Sequence, residues 1–174
     1  MARNELARKQ AGQGGLTEAV TNPGRAGVLE ICSSLRQLLA DVFALYVKTK
    51  NFHWHMSGRH FRDHHLLLDE QAEQVFAMAD DIAERARKIG GITLHSINDI
   101  SKHQRLKDNN QESIGTLAML VELCTDNRDL ATFLRSTHQA CETYGDVATA
   151  SLIENWIDQT ERRVWFLTEI TNEP

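Results

Sequence analysis

Histidines and acids are concentrated in one stretch of this sequence. Residues 52 to 70 read FHWHMSGRHFRDHHLLLDE, with five histidines among nineteen residues. Imidazole nitrogens and carboxylate oxygens are common ligands for divalent metals. They form a metal site only where the fold brings them together, and they are otherwise ordinary polar residues at a helix end.

Four residues in and after this stretch share one flank of a predicted helix. His65, Asp69, Asp80 and Glu84 fall within a sector about 100° wide when residues are placed about 100° apart. Along the axis, however, the His65/Asp69 pair and the Asp80/Glu84 pair are separated by about 16 Å or more. One chain therefore cannot bring both pairs to a single ion.

Two copies of this helix could complete a site by packing antiparallel about a two-fold axis near residues 74 and 75. Asp80 and Glu84 of one copy would then face His65 and Asp69 of the other. His53, in the last turn of the preceding helix, would add a second imidazole. This mixed set suits ferrous iron, zinc or manganese rather than copper(I), and the isologous contact predicts a homo-oligomer.

Less specific interpretations of the same residues remain open. Charged residues on a helix flank usually form a solvated face, and other acids stand beside the chosen ones. Trp54 is interpreted as a packing residue, and three further histidines as polar residues at a helix end. The residues concerned are the acids Glu73 and Asp81 and the histidines His55, His60 and His64.

Helices are the elements that must position these side chains. The 174 residues are 41% hydrophobic, which predicts one domain with a real core. Apolar residues recur at three- and four-residue spacing, which predicts long helices. Together these helices predict an all-α four-helix bundle with a short extra helix between the second and third long helices. The predicted elements are a first helix from Val28 to Met56, a second from about His60 to Ile89, a short helix in SINDISKHQ, a third from Asn109 or Asn110, and a last one after a turn at Tyr144-Gly145-Asp146.

The charge balance and the cysteines restrict the class of protein to which this chain can belong. The net charge is −5, so the protein as a whole is not drawn to nucleic acid. Cys32, Cys124 and Cys141 form no CxxC, which argues against a disulfide framework and favours a reducing cytoplasm. The sequence contains no apolar run of the kind that would predict a signal peptide or a membrane span. The Gly-rich residues 1–27 are predicted to be a flexible arm preceding a domain at 28–174.

The order of the candidate ligands resembles the Dps family, the DNA-binding proteins from starved cells or mini-ferritins. In that family an HW near the end of the first helix is followed by a Gly, a Phe and HxxxD. An Asp and a Glu within DxxAER then precede a Gly-Gly stop. Here HW is His53-Trp54, HxxxD is His65 and Asp69, and ADDIAER leads to Gly90-Gly91. Spacing favours Asp80, four residues before Glu84, with Asp81 as the alternative.

The resemblance extends from about Val28 to Ile170 and implies a ferritin-like bundle assembled as a hollow dodecamer. It implies ferroxidase centres, each a di-iron site shared by two subunits, with His53, His65 and Asp69 from one chain and Asp80 and Glu84 from the other. Such a protein oxidises Fe(II), preferably with hydrogen peroxide, and stores ferric mineral. Ordinary ferritins instead use Glu-x-x-His pairs inside one bundle, and this sequence contains no ExxH. HExxH, GxSxG and GxxxxGK[ST] are also absent, so protease, hydrolase and nucleotidase functions lack support.

DNA binding and iron entry are expectations that the resemblance raises. A DNA-compacting cage with secondary iron chemistry, associated with the nucleoid, is the alternative function. The arm carries two net positive charges, which leaves −7 on the rest of the chain, so DNA contacts would depend on many weak arms in one oligomer. The family's three-fold pores are acidic and lined from the last helix. The arm's basic residues are Arg3, Arg8, Lys9 and Arg25, and the pore candidates are Asp146, Glu154 and Asp158.

Overall fold

Residues 23–172 are described by a computed structural model, and five helices account for most of them. We number these helices in chain order. Two antiparallel hairpins, α1 with α2 and α4 with α5, pack together, and α3 lies against α1. The described residues contain no strand, which confirms the predicted all-α bundle with a short extra helix. The helices are α1 Gly24–His55, α2 Phe61–Lys88, α3 Ile97–His103, α4 Thr116–Thr143 and α5 Val147–Thr171.

The core is built from the predicted apolar stripes. In α1, Leu35, Leu38, Val42 and Leu45 are completely buried, because their three- and four-residue spacing places them on one helical face. In α2 the same spacing buries Leu68, Ala72, Val75, Ala79 and Ile82. Burying an aliphatic side chain of this size contributes about 1.5–3 kcal/mol. The packing holds the outer flanks of α1 and α2 in a fixed relation.

Glycines end the first hairpin's helices where the sequence predicts. Gly58 has φ +112° and Gly90 has φ +93°, conformations that side chains with a Cβ rarely adopt. The α1–α2 turn at Gly58 sets His53, near the end of α1, beside the first turns of α2. The C-terminal ends of α1 and α2 agree with the predicted ends within one residue.

The short helix α3 confirms the element predicted in SINDISKHQ. Ser96 caps it by accepting a hydrogen bond from the backbone N–H of Asp99, with N···Oγ 3.2 Å. This cap offsets part of the cost of ordering a helix too short to be stable alone.

The start of α4 differs from the prediction. Asn109 does not begin this helix, which starts at Thr116 after Gly115. The Asn109 side chain instead accepts a hydrogen bond from the Gln111 backbone N–H at 2.9 Å and donates one to Glu122 at 2.7 Å. These two hydrogen bonds stabilise a loop. An asparagine side chain can stabilise either a turn or a helix cap, and tertiary contacts decide here.

Helix α1 begins at Gly24, four residues before its predicted start. Gly27 faces Tyr144, and an added Cβ would lie 2.7 Å from the tyrosine ring. This glycine therefore permits close packing. No helix within residues 23–172 is long and apolar enough to cross a membrane. The predicted arm, apart from its last residues, lies outside the described part of the chain.

Candidate metal centre

His53 and His65 contact each other directly in the candidate centre. The α1–α2 turn brings their rings together in a stack, with centroids 3.7 Å apart and planes 20° apart. The contact is reciprocal: His53 Nδ1 lies 2.9 Å from the His65 carbonyl oxygen, and His65 Nδ1 lies 2.9 Å from that of His53. The two helices are thus joined through their candidate ligands.

These hydrogen bonds define which nitrogens can bind a metal. A carbonyl oxygen only accepts hydrogen bonds, so both Nδ1 atoms must carry the proton. In the neutral rings, each Nε2 then keeps its lone pair. Fixing one ring nitrogen through a hydrogen bond while the other stays available is the usual arrangement of metal-binding histidines.

Asp69 brings a carboxylate to the same place, and a lysine holds it. Its Oδ1 lies 3.9 Å from His53 Nε2. The same oxygen accepts a 2.6 Å hydrogen bond from Lys50 Nζ. The hydrogen bond from Lys50 lowers the pKa of Asp69 below its ordinary value, and the nearby His53 and His65 act in the same direction.

Asp80 and Glu84 lie farther along α2 and do not join this cluster. Both are exposed, and their axial distance from Asp69 is about 16 Å or more. Glu84 accepts a 2.8 Å hydrogen bond from Lys88, which lowers the pKa of the glutamate. Within residues 23–172, no group of three or more His, Cys, Asp or Glu side chains is arranged to hold a metal ion.

The acid and the histidines that were left as alternatives to the candidate ligands lie in different surroundings. Asp81 is exposed like Asp80, so burial does not separate the two aspartates. The His60 and His64 ring centroids lie 5.8 Å apart at the start of α2. His55 contacts the Asn51 carbonyl oxygen at 2.8 Å, as expected of a polar residue at a helix end.

The interior of the bundle holds a lysine paired with carboxylates and a buried arginine. Lys48, with a side chain 5% exposed, lies 2.7 Å from Asp126, and Glu122 lies 2.9 Å from the same ammonium group. Arg163, 1% exposed, donates to the Asn127 side chain at 2.8 Å. The buried carboxylate of Asp126 is occupied by Lys48, which disfavours a metal centre at this place inside the bundle.

One pore candidate proves to be structural. Asp146 is buried, caps α5, and accepts a 2.6 Å hydrogen bond from Arg85. The expectation that it lines a pore was wrong, because its buried carboxylate is occupied by Arg85 and by the cap of α5. Glu154 and Asp158 are exposed on α5, and Glu154 lies 3.1 Å from His138 Nε2.

Lys50 and Lys88 are the contacts of the candidate ligands that sequence reasoning missed. Their helical spacing was the available signal, since Lys50 precedes His53 by three residues and Lys88 follows Glu84 by four. That spacing predicts proximity on one helix. It did not predict the contact of Lys50 with Asp69, because that contact joins two helices.

Comparison with known proteins places this geometry in a family. Residues 32–173 match the ferritin-like domain. An uncharacterized low temperature-induced protein of Nostoc is 31% identical over 149 residues, covering 85% of this chain and 82% of that protein. DNA protection during starvation protein 1 of Deinococcus radiodurans is 27% identical over 143 residues, covering 82% of this chain and 69% of that protein.

A solved structure agrees with these sequence matches. The Dps of Thermosynechococcus elongatus superposes with a TM-score of 0.83 at 26% identity, covering 86% of this chain and 94% of that one. The chain belongs to the ferritin-like proteins and, within them, to the Dps family.

Proposed function

We propose that this protein oxidises Fe(II), preferably with hydrogen peroxide, at centres shared between two copies of the chain. The observation that carries this proposal is the His53/His65 stack, with His53 Nε2 lying 3.9 Å from Asp69 Oδ1. His53, His65 and Asp69 supply one half of the centre. Asp80 and Glu84 of a second copy supply the other half.

Exposed aromatic surface supports the two-fold contact. Phe76 lies next to the predicted axis at residues 74 and 75, and it is 51% exposed in the single chain. Its ring packs on Tyr46, with centroids 4.8 Å apart, so it is held in place rather than loose. Apolar groups left in water at such a position favour association with a second copy.

A groove beside this position extends the apolar surface. It is lined by Val47, Trp54 and Ile97 among others, and Trp54 is 63% exposed. The groove lies between α1 and the α3 region, adjacent to the α1 end that carries His53. Covering it with a second copy would remove Trp54 from water and exclude solvent from the neighbouring centre.

The ligand set fits the proposed chemistry. Carboxylates are hard donors that stabilise Fe(III) relative to Fe(II) and can bridge two metal ions. Two Fe(II) ions each give one electron to hydrogen peroxide, which takes up two protons and becomes two water molecules. Delivering both electrons together limits the release of hydroxyl radical, so the reaction would protect DNA while it loads iron.

Storage requires a closed assembly, which we propose to be a hollow dodecamer that holds ferric mineral. Further exposed apolar residues away from the two-fold surface, including Leu117 and Trp165, favour additional contacts between copies. Glu154 and Asp158 remain candidates for an acidic entry pore.

DNA binding is a second proposal, favoured by relatives that are named DNA protection during starvation proteins. In this chain it would depend on the arm, whose Arg3, Arg8 and Lys9 lie outside the described residues. Deleting residues 1–22 preserves α1 and should abolish retardation of DNA on a gel at low salt. A persistent shift would place binding elsewhere.

The iron proposal is tested by loading purified protein with Fe(II) without oxygen and then adding hydrogen peroxide. Ferric absorbance and particle size are recorded on one sample. We expect rapid oxidation of two Fe(II) per peroxide by a large oligomer. Oxidation no faster than in buffer, by an intact oligomer, would contradict the proposal and favour a DNA-compacting cage.

A further inference from the structure

A buried arginine of α5 has a donor nitrogen that no other group of the chain satisfies. Arg163 is 1% exposed. Within residues 23–172, its Nη1 has no hydrogen-bond partner. We propose that a small monovalent anion of chloride size binds beside Arg163 and serves as its counter-ion. This site is separate from the proposed iron centre, because α5 contributes none of the candidate iron ligands.

The hydrogen bonds that Arg163 makes with the described residues all go to uncharged groups. Its Nε donates to Asn127 Oδ1 at 2.8 Å, and its Nη2 donates to Thr160 Oγ1 at 2.8 Å. The same Nη2 lies 3.9 Å from Met78 Sδ. The guanidinium is therefore held in place by α4, α5 and α2, but none of these contacts neutralises its charge.

Arg163 keeps its positive charge although it is buried. Burial lowers the pKa of Arg163 to about 10, which is still well above neutral pH. A charge that is taken out of water without an opposite charge beside it destabilises the folded state. Deprotonation does not relieve this cost in the neutral range, whereas a bound anion would.

A narrow cavity between α2 and α5 gives an anion a place to bind. Arg163 and Gln71 both line this cavity, and Gln71 is only 4% exposed. A glutamine amide carries two N–H donors, so Gln71 can add a hydrogen bond to the one from Arg163. The cavity volume is about 10 Å³, which is room for a group about the size of one water molecule. Chloride is a single atom not much larger than water, whereas phosphate and sulfate carry four oxygens and are too large.

The charges that line the cavity favour an ion with a single negative charge. Glu70 and Arg162 form its exposed rim, with side chains 58% exposed and charged atoms 4.0 Å apart. Gln74 donates to Glu70 Oε1 at 2.9 Å, so this carboxylate has partners of its own at the surface. Glu70, Arg162 and Arg163 together leave one net positive charge, which one monovalent anion balances.

An anion in this cavity would link the two halves of the bundle. Arg163 belongs to α5 and contacts α4 through Asn127, whereas Gln71 belongs to α2. An ion held by Arg163 and Gln71 would thus connect the first helical hairpin to the second. Because the cavity exists only in the folded chain, anion binding would raise stability by mass action.

The direct test is a crystal structure of the full-length protein grown in sodium bromide, because bromide replaces chloride and is located by its anomalous scattering. We expect an anomalous peak in the cavity, within hydrogen-bonding distance of Arg163 and the Gln71 amide. Density explained by a water molecule, without an anomalous peak, would overturn the proposal.

Thermal unfolding tests whether the site is also occupied in solution. The unfolding midpoint is measured in sodium chloride and in sodium gluconate at equal ionic strength, since gluconate is too large for the cavity. We expect chloride to raise the midpoint of wild type by about 3 °C relative to gluconate, and that of Arg163→Met by less than about 1 °C. Arg128→Met removes an exposed arginine as the matched control and should respond as wild type does.

A second variant keeps the proposal testable if Arg163→Met does not fold. Gln71→Leu retains the guanidinium and removes a donor from the cavity, so its response to chloride should be smaller than that of wild type. A chloride response equal to that of wild type in every cavity variant that folds would overturn the proposal. The absence of any response in wild type would do the same, because a peak in the crystal would then be an adventitious ion only.

Discussion

Polar groups are treated in opposite ways by the bundle interior and by the α1–α2 edge. Inside, Lys48 is ion-paired with Asp126 of the same chain, while Arg163 donates to the neutral side chain of Asn127. At the edge, His53 and His65 use only their Nδ1 atoms for protein hydrogen bonds. The interior lysine is thus paired within its own chain, whereas each edge imidazole keeps its Nε2 available for something outside the chain.

This contrast teaches where a bundle can host metal chemistry. Buried charge is stable only when it is paired and hydrogen-bonded, and filled pairs leave no ligand for an ion. Of the candidate ligands, Asp80 and Glu84 are exposed to water, His65 and Asp69 are partly exposed, and His53 is buried. In the proposed shared centre a second copy would cover them, which would link assembly to activity.

The largest effect should come from removing both edge imidazoles. His53→Ala/His65→Ala should slow Fe(II) oxidation by more than about 100-fold, because losing direct ligands costs more than the 10–100-fold typical of outer-shell changes. Stopped-flow ferric absorbance measures it. His60→Ala/His64→Ala removes two neighbouring histidines as the matched control, and equal slowing by the control would disprove the assignment.

Breaking the interior pair should affect stability instead. Lys48→Met leaves Asp126 buried without its cation, which should cost about 3 kcal/mol of unfolding free energy, with oxidation largely retained in the folded protein. Denaturant unfolding at fixed protein concentration measures the loss, with exposed Lys102→Met as control. A stability equal to that of Lys102→Met would show that the pair contributes nothing net.

The pH dependence of this loss follows from Asp126. Burial raises the pKa of Asp126 above its ordinary value even beside Lys48. Protonation therefore occurs more readily in the folded chain than in the unfolded one, and it removes the unpaired charge in Lys48→Met. The cost of Lys48→Met should shrink as pH falls toward the carboxyl range, and a cost that grew would contradict this explanation.

A smaller effect should separate the two adjacent aspartates. Asp80→Asn should slow iron oxidation about 10-fold through loss of one charged ligand, whereas Asp81→Asn should leave it nearly unchanged. Both positions are exposed, so stability should be similar in the two variants. The reverse order of rates would make Asp81 the ligand.

The smallest effect concerns the thiols. Cys32, Cys124 and Cys141 are all buried, and burial raises the pKa of Cys141 to about 12. The native protein should therefore react negligibly with a thiol-specific dye at neutral pH, and denaturant should expose three thiols per chain. Rapid labelling of the native oligomer would show that the interior opens more readily than its packing indicates.

Sequence predicts the periodic parts of this molecule and the order of its candidate ligands. The stripes of α1 and α2, the Gly58 and Gly90 stops, and the approach of His53 to His65 follow from local spacing and one tight turn. The roles of Asn109 and Asp146 do not, since a distant Glu122 and Arg85 decide them. The Lys50–Asp69 contact is likewise set by how two helices pack.

The most direct test of the shared centre is complementation between two inactive variants. His53→Ala/His65→Ala chains and Asp80→Ala/Glu84→Ala chains are mixed, dissociated, reassembled and assayed for peroxide-driven Fe(II) oxidation. A two-fold shared site predicts that random reassembly restores about a quarter of the wild-type rate, because mixed pairs each contain one intact centre. No recovery, from mixed oligomers verified by mass, would contradict a centre built by two chains.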